Sequence, residues 1–174
     1  SDGTTAYDTT AVRQNGDIQS LRLEGNVNGT IERGAWNVKA YTYLSNRGIP
    51  GAIVNNVWRR EERQADANTF FQGSWQKDAT DAYSLRVMAK YANYHTHYQN
   101  RDTTTMTVDN RYRQQEAYLS SSHAVRLLPW LSASMAYDVR YSTLTADTYT
   151  CPEPRRWEHL VSLATAVALK QLSA

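Results

Sequence analysis

The chain has 174 residues, 41% of them hydrophobic and 21% charged, and its formal net charge is +2. One ordinary domain fits this length, and the scattered basic residues give no electrostatic footprint for nucleic acid, which excludes that class of partner. A transmembrane helix is excluded as well, because no run of about 18 apolar residues occurs.

The chain opens with residues 1–17, which are rich in Thr, Asp, Asn and Gly and show no periodicity, so a loop is predicted there. Residues 20–32 then alternate strictly. Apolar or small residues occupy the odd positions from Leu21 to Ile31, and polar or charged residues occupy the even positions from Arg22 to Glu32. A period of two places these sets on opposite faces of a β-strand.

The same alternation predicts six further strands, at residues 35–45, 66–76, 83–92, 111–127, 131–141 and 157–171, the fourth extending as far as residue 98. Short turns are predicted at 32–34, 77–81 and 128–129, and long polar loops at 46–56, 99–110 and 146–156. Residues 57–63 are strongly basic and ambiguous. Residues 161–169, read alone, also allow a short helix, although their context favours a strand.

Strand length and aromatic placement favour a membrane barrel. Ten residues span about 33 Å, and a tilt near 45° reduces this to about 24 Å, close to the apolar thickness of an outer membrane. The chain has 12 Tyr and 5 Trp against 2 Phe, and Trp36, Trp75, Tyr83 and Trp130 lie beside the short turns, as an interfacial girdle requires. Trp130 falls on the polar side by parity, which indicates a bulge or a register change.

These features predict an all-β fold, an antiparallel meander of about seven strands that forms part of a transmembrane β-barrel in the cell outer membrane. We expect the chain to be a single partial-barrel region, 1–174, without a plug domain. Seven strands are too few for a wide barrel, and bare strand edges are unfavourable in lipid, so an arc of a larger barrel is expected. The alternatives are a soluble β-sandwich binding module and a small structural outer-membrane barrel.

Three stretches resemble TonB-dependent outer-membrane receptors of the Bacteroidetes type. Residues 43–54, YLSNRGIPGAIV, resemble an outer loop of these receptors, which often contains an element like the Arg-Gly-Ile-Pro-Gly portion. Residues 113–120, RQQEAYLS, and residues 90–92, KYA, resemble later barrel strands of the same family. The likeness covers most of residues 21–147.

The resemblance implies a barrel of about 22 strands closed by an N-terminal plug. It also implies active uptake of a scarce nutrient of the cobalamin, siderophore or glycan class. The implied partners are outer-membrane lipid, the remainder of the barrel and its plug, a TonB-type energy-coupling protein acting through that plug, and the nutrient ligand. We expect the 174 residues, which contain neither plug nor coupling box, to be a segment that does not transport by itself.

The candidate ligand-binding residues lie in and beside the first long loop: Arg47, Trp58, Arg59 and Arg60. Basic side chains at an entrance attract anionic ligands. Together with Arg63, the residues at 58–60 are placed either to line such an entrance or to meet anionic lipid headgroups.

We predict no catalytic residues, no metal site, no cofactor and no enzymatic activity. His95 and His97 share one face of a strand, but a metal needs at least one more ligand. Ser120 to His123 lack the spaced carboxylate and the elbow glycine of a catalytic triad, and Glu116 has no paired acid on its strand. Cys151 has no second cysteine in the chain with which to form a disulfide.

Overall fold

The computed structural model describes residues 12–50, 61–102, 106–148, 150 and 153–168. Seven strands form one antiparallel sheet in which every strand pairs with its neighbours along the chain. The sheet does not close, so β1 and β7 are its edges. The bounds are β1 Ile18–Ile31, β2 Gly34–Ile49, β3 Glu62–Thr80, β4 Tyr83–Asn100, β5 Val108–Leu128, β6 Leu131–Ala146 and β7 Arg155–Val167.

The all-β antiparallel meander of seven strands predicted from the sequence is confirmed. Residues 161–167 belong to β7, so the short helix that this stretch also allowed does not form. Several strand ends were predicted wrongly. Residues 46–49 and 77–80, assigned to a loop and a turn, extend β2 and β3. Main-chain hydrogen bonding continues there after the side-chain alternation lapses, because each backbone N–H and C=O still needs a partner.

Two-residue turns join β1 to β2, β3 to β4 and β5 to β6. In each turn, the carbonyl of the second residue accepts a main-chain hydrogen bond from the second strand after that turn, or from the residue that directly follows that strand. Arg33 accepts from Asp78 at 2.7 Å, Ala82 from Arg126 at 2.7 Å and Trp130 from Ala168 at 2.9 Å. A register shift between Arg126 and Leu128 confirms the irregularity expected near Trp130, which lies in the third turn.

The short turns are staggered by a constant step. Gly34, the first residue after the first turn, lies opposite Lys77, three residues before the end of β3. Tyr83, the first residue after the second turn, lies opposite Val125, three residues before the end of β5. Three residues rise about 10 Å and two strand spacings are about 10 Å, so the line through the turns crosses the strands at about 45°.

The sheet is a single layer without a hydrophobic core of its own. Within the described part of the chain, the only buried hydrophobic residues are Ala92 and Ala146, and no large side chain is fully buried. Met135 and Leu163, for example, are 45% and 76% exposed. Main-chain ladders and cross-strand pairs therefore hold this layer together, and one apolar face is left uncovered.

Candidate functional site

One face of the sheet, here called the apolar face, carries a band without charged side chains. Alternate residues in seven windows of 11 residues all point to this face, as the strand register shows, and none of them is Asp, Glu, Lys or Arg. We call the windows together the charge-free band. They are 21–31, 34–44, 65–75, 83–93, 117–127, 131–141 and 157–167.

The charge-free band runs obliquely across the sheet. Leu21 lies within the band on β1, but its row continues through Leu44 and Ala67 to His95 and Arg113, which lie beyond the band on β4 and β5. From β1 to β7, the band therefore shifts along the strands toward their short-turn ends, which is also the direction in which the turns are staggered. The band shifts by four residues between β1 and β5, since the row of Leu21 reaches Arg113 and the window on β5 begins at Ala117.

The opposite face, here called the polar face, holds the charged side chains of the same strands. Most of its ion pairs join neighbouring strands: Lys39 with Glu24 at 2.5 Å, Lys90 with Glu116 at 3.5 Å and Arg140 with Glu158 at 3.4 Å. Tyr118 also donates a hydrogen bond to Asp138 at 3.1 Å. Glu116, for which the sequence indicated no acidic partner, thus has a cationic one.

Aromatic side chains lie on the apolar face near both ends of the charge-free band, the short-turn end and the long-loop end. Trp36 and Trp75 lie opposite each other near the short turns, as the sequence predicted. The indole of Trp36 covers Gly29, where a Cβ would lie 2.8 Å from its Cε2 atom. Tyr141 and Trp157 pack against each other at the long-loop end, with ring centroids 4.6 Å apart. Glycine at position 29 therefore makes room for a large aromatic ring on the neighbouring strand.

The two histidines within the charge-free band have hydroxyl partners. His123 Nδ1 lies 2.7 Å from the Tyr83 hydroxyl and its Nε2 lies 2.9 Å from the Ser121 hydroxyl. His159 Nδ1 lies 2.8 Å from the Tyr137 hydroxyl. These bonds lower the cost of placing imidazole nitrogens in apolar surroundings. His123 is thus held between two hydroxyl groups.

Arg47 lies on the polar face at the long-loop end, about half exposed and 4.0 Å from Asp66. The carboxylate of Asp66 also accepts hydrogen bonds from Thr96 at 2.9 Å and Gln64 at 3.0 Å. Arg47, the one candidate ligand-binding residue that the structure describes, thus forms a long ion pair with a carboxylate held by a hydrogen-bond network. Trp58, Arg59 and Arg60 lie outside the described residues, as does Cys151.

Residues 13–17 form a clasp across the ends of β2 and β3, a contact that the sequence did not reveal. Asn15 has a left-handed backbone with φ of 60°, and its side-chain amide donates to the Glu62 carbonyl at 2.7 Å and the Ile49 carbonyl at 3.3 Å. A Cβ at Gly48 would collide with Asn15. The clasp therefore closes the base of the first long loop.

Arg63 completes the clasp. Its guanidinium donates to Asp17 at 2.8 and 3.2 Å and to the Asn46 side chain at 2.9 and 3.1 Å. The Arg63 hydrogen bond lowers the pKa of Asp17, and the same contact raises the pKa of Arg63. Its side chain is thus engaged by two groups of the protein.

His95 and His97 lie side by side on the apolar face beyond the charge-free band, as their spacing predicted, opposite Arg113 and Arg111. His97 Nε2 lies 2.6 Å from Asp109, whose other oxygen accepts from Gln99 at 3.0 Å. Hydrogen bonds from Gln99 and His97 lower the pKa of Asp109. In the described residues, no three metal-ligand side chains come together.

Comparisons with protein-family models, with curated proteins and with solved structures each found no match. Among the described residues there is no helix long and apolar enough to cross a membrane. Evidence about function therefore comes from the two faces of the sheet and from its stagger.

Proposed function

We propose that this chain is one arc of the wall of a transmembrane β-barrel in the cell outer membrane. The apolar face meets lipid and the polar face lines a hydrated lumen. One observation carries the proposal: in the windows that define the charge-free band, on all seven successive strands, every charged side chain points to the polar face. Charged side chains are costly in hydrocarbon and well solvated in a water-filled lumen.

The dimensions of the charge-free band support this placement. Eleven residues extend about 36 Å, which a tilt of about 45° reduces to about 26 Å, close to the roughly 25 Å apolar height of outer-membrane barrels. The slope of the turns supplies that tilt independently, because closing a sheet into a barrel requires tilted, staggered strands. A soluble sandwich would need a second sheet over the apolar face, and all seven described strands lie in one layer.

The two edges of the sheet bear on the size of the barrel. β1 and β7 each pair on one side only, and unpaired backbone groups are very unfavourable in hydrocarbon. We therefore place further strands on both edges, with the plug of a large barrel facing the polar face. The stretches that resemble TonB-dependent receptors fit this arrangement, since residues 90–92 lie in β4 and residues 113–120 lie in β5.

Within this proposal the barrel belongs to a TonB-dependent receptor that takes up a scarce nutrient. Arg47, which lies 4.0 Å from Asp66 at the long-loop end of the polar face, contacts the entering ligand together with Trp58, Arg59 and Arg60. The assembly catalyses no reaction, and its energy comes through the plug from a TonB-type coupling protein.

The barrel is tested by refolding the full polypeptide that carries these strands from urea into vesicles with brominated acyl chains and, separately, into lipid-free buffer. Bromine quenches nearby indoles, so Trp36, Trp75 and Trp157 on the apolar face are expected to lose fluorescence in the vesicles. A cooperatively folded monomer in buffer, with no quenching in vesicles, would instead establish a soluble module.

The receptor is tested separately, in cells that produce the full polypeptide carrying these strands. Nutrient uptake is expected to stop when the TonB-type coupling protein is deleted. Uptake that persists unchanged would leave a passive barrel and refute active transport.

A further inference from the structure

Beyond the long-loop end of the charge-free band, the apolar face carries two arginines and two histidines on adjacent strands. We propose that Arg111 and Arg113, with His95 beside them, bind the phosphate of an anionic lipid headgroup. This inference rests on the membrane placement proposed above and adds a lipid-binding site to it.

The register places these groups where a headgroup would lie. On β5 the band begins at Ala117, and the next residues outward on this face are Gln115, Arg113 and Arg111. On β4 it reaches Asn93, followed by His95 and His97. Since His95 lies opposite Arg113 and His97 lies opposite Arg111, the four side chains form an array about 5 Å wide and about 7 Å long.

Two carboxylates, those of Asp109 and Asp147, lie beside this array. Both oxygens of Asp109 accept hydrogen bonds, one from His97 and one from Gln99, and Arg111 Nε lies 3.8 Å from that carboxylate. Asp147 accepts from the main-chain N–H of Arg111 at 3.0 Å. The Arg111 side chain is 62% exposed, so its guanidinium is open to an external anion.

Arg113 is oriented toward the band. Its Nε donates to Asn93, the last residue of the band on β4, at 2.9 Å. This hydrogen bond holds the guanidinium at the edge of the band and leaves its terminal nitrogens to other acceptors. Nearby, Tyr91 accepts a hydrogen bond from Gln115 at 2.7 Å. A tyrosine with a polar tip and an arginine with a long apolar stem are the side chains suited to a lipid–water interface.

A lipid phosphate fits these features better than a free phosphate ion. The arginines offer several N–H donors for phosphate oxygens, and the band immediately below them, including Tyr91 and Leu119, offers apolar surface for acyl chains. A lipid satisfies both parts of the surface at once, whereas an inorganic ion satisfies only the first.

The test measures binding of brominated phosphatidylglycerol and brominated phosphatidylcholine to the full chain in neutral detergent, by tryptophan quenching. The double variant Arg111→Gln/Arg113→Gln removes two charges from the apolar face. The matched control Arg86→Gln/Arg140→Gln removes two charges from the polar face.

We expect the wild type and the control to prefer phosphatidylglycerol, and the apolar-face variant to bind it about fivefold more weakly for each arginine removed. Binding of phosphatidylcholine is expected to stay constant. Equal affinity of the wild type for the two lipids, or equal losses in both variants, would overturn the inference. Displacement of phosphatidylglycerol by millimolar inorganic phosphate would also overturn it, in favour of a free-ion site. Failure of both lipids to quench would instead count against the membrane placement itself.

Discussion

Gly34 lies directly opposite Lys77, three residues before β3 ends. This offset, repeated between Tyr83 and Val125, makes the line of short turns climb at about 45° across the strands. The charge-free band follows the same direction. An apolar band that is oblique to the strand rows becomes level when the strands tilt, as they do in a barrel wall.

The contact between Gly29 and Trp36 predicts unequal effects of two alanine substitutions on one strand. In Gly29→Ala the new methyl group collides with the indole, so the free energy of unfolding should fall by about 1–3 kcal/mol, the usual cost of overpacking. Gly25→Ala is the control, because a Cβ there has no atom within 4 Å. Urea unfolding and the tryptophan emission maximum report the two effects. Equal stability of the variants would contradict the packing described.

The Tyr137 hydroxyl bond to His159 predicts a loss of stability in Tyr137→Phe. Removing the hydroxyl leaves the imidazole Nδ1 without this partner, at a cost of about 1 kcal/mol. Tyr141→Phe is the matched control on the same strand and face, since the Tyr141 ring packs against Trp157 and that contact is retained. Denaturant midpoints in detergent compare the two, and a larger loss in Tyr141→Phe would count against the assignment.

The clasp predicts a pH-dependent contribution from Asp17. Its pKa is lowered in the folded state by the Arg63 hydrogen bond, so its contribution is present above about pH 4, where a free aspartate titrates. That contribution is lost as the pH falls through the lower, folded-state pKa. The difference in stability between wild type and Asp17→Asn should therefore shrink on acidification below about pH 4. Amide hydrogen exchange at Gly48, whose N–H donates to the Asp17 carbonyl, measures it.

A difference between wild type and Asp17→Asn that is constant from neutral to acidic pH would show that the Asp17–Arg63 pair does not hold the clasp. Asp81→Asn serves as the control for a general change in net charge, since Asp81 pairs with Arg33 at the opposite end of the sheet.

Side-chain alternation predicted all seven strands and the face to which most of their residues point. It failed at the strand ends. Residues 46–49 stay in β2 because their backbone pairs with residues 62–65, although Asn46 and Gly48 interrupt the apolar pattern. The clasp was not predictable, because Asn15, Gly48 and Arg63 meet only through the register of β2 and β3. The stagger was hidden for the same reason, since register depends on backbone pairing that local sequence does not specify.

The candidate site was only partly accessible from sequence. The histidine pair was placed correctly on one face near the outer end of the fourth strand, because its spacing fixes that face, whereas Arg47, predicted to lie in a loop, lies in β2. The predicted strand at 111–127 already contained Arg111 and Arg113, but the proposed lipid-binding arrangement also required the register of β4 against β5, which places them opposite His97 and His95. Partner groups on neighbouring strands, such as Asn93 for Arg113, followed only from the pairing.

One pair of adjacent residues tests the barrel wall most directly. Met135 and Ser134 are both exposed and lie on opposite faces of β6, Met135 within the charge-free band. If the apolar face meets lipid, Met135→Arg should lower the stability of the full polypeptide that carries these strands, folded in vesicles, by about 2–4 kcal/mol, whereas Ser134→Arg, facing the lumen, should change it little. Urea titration of folding into vesicles measures both variants. Equal effects of the two arginines, or a greater effect at Ser134, would contradict the membrane placement.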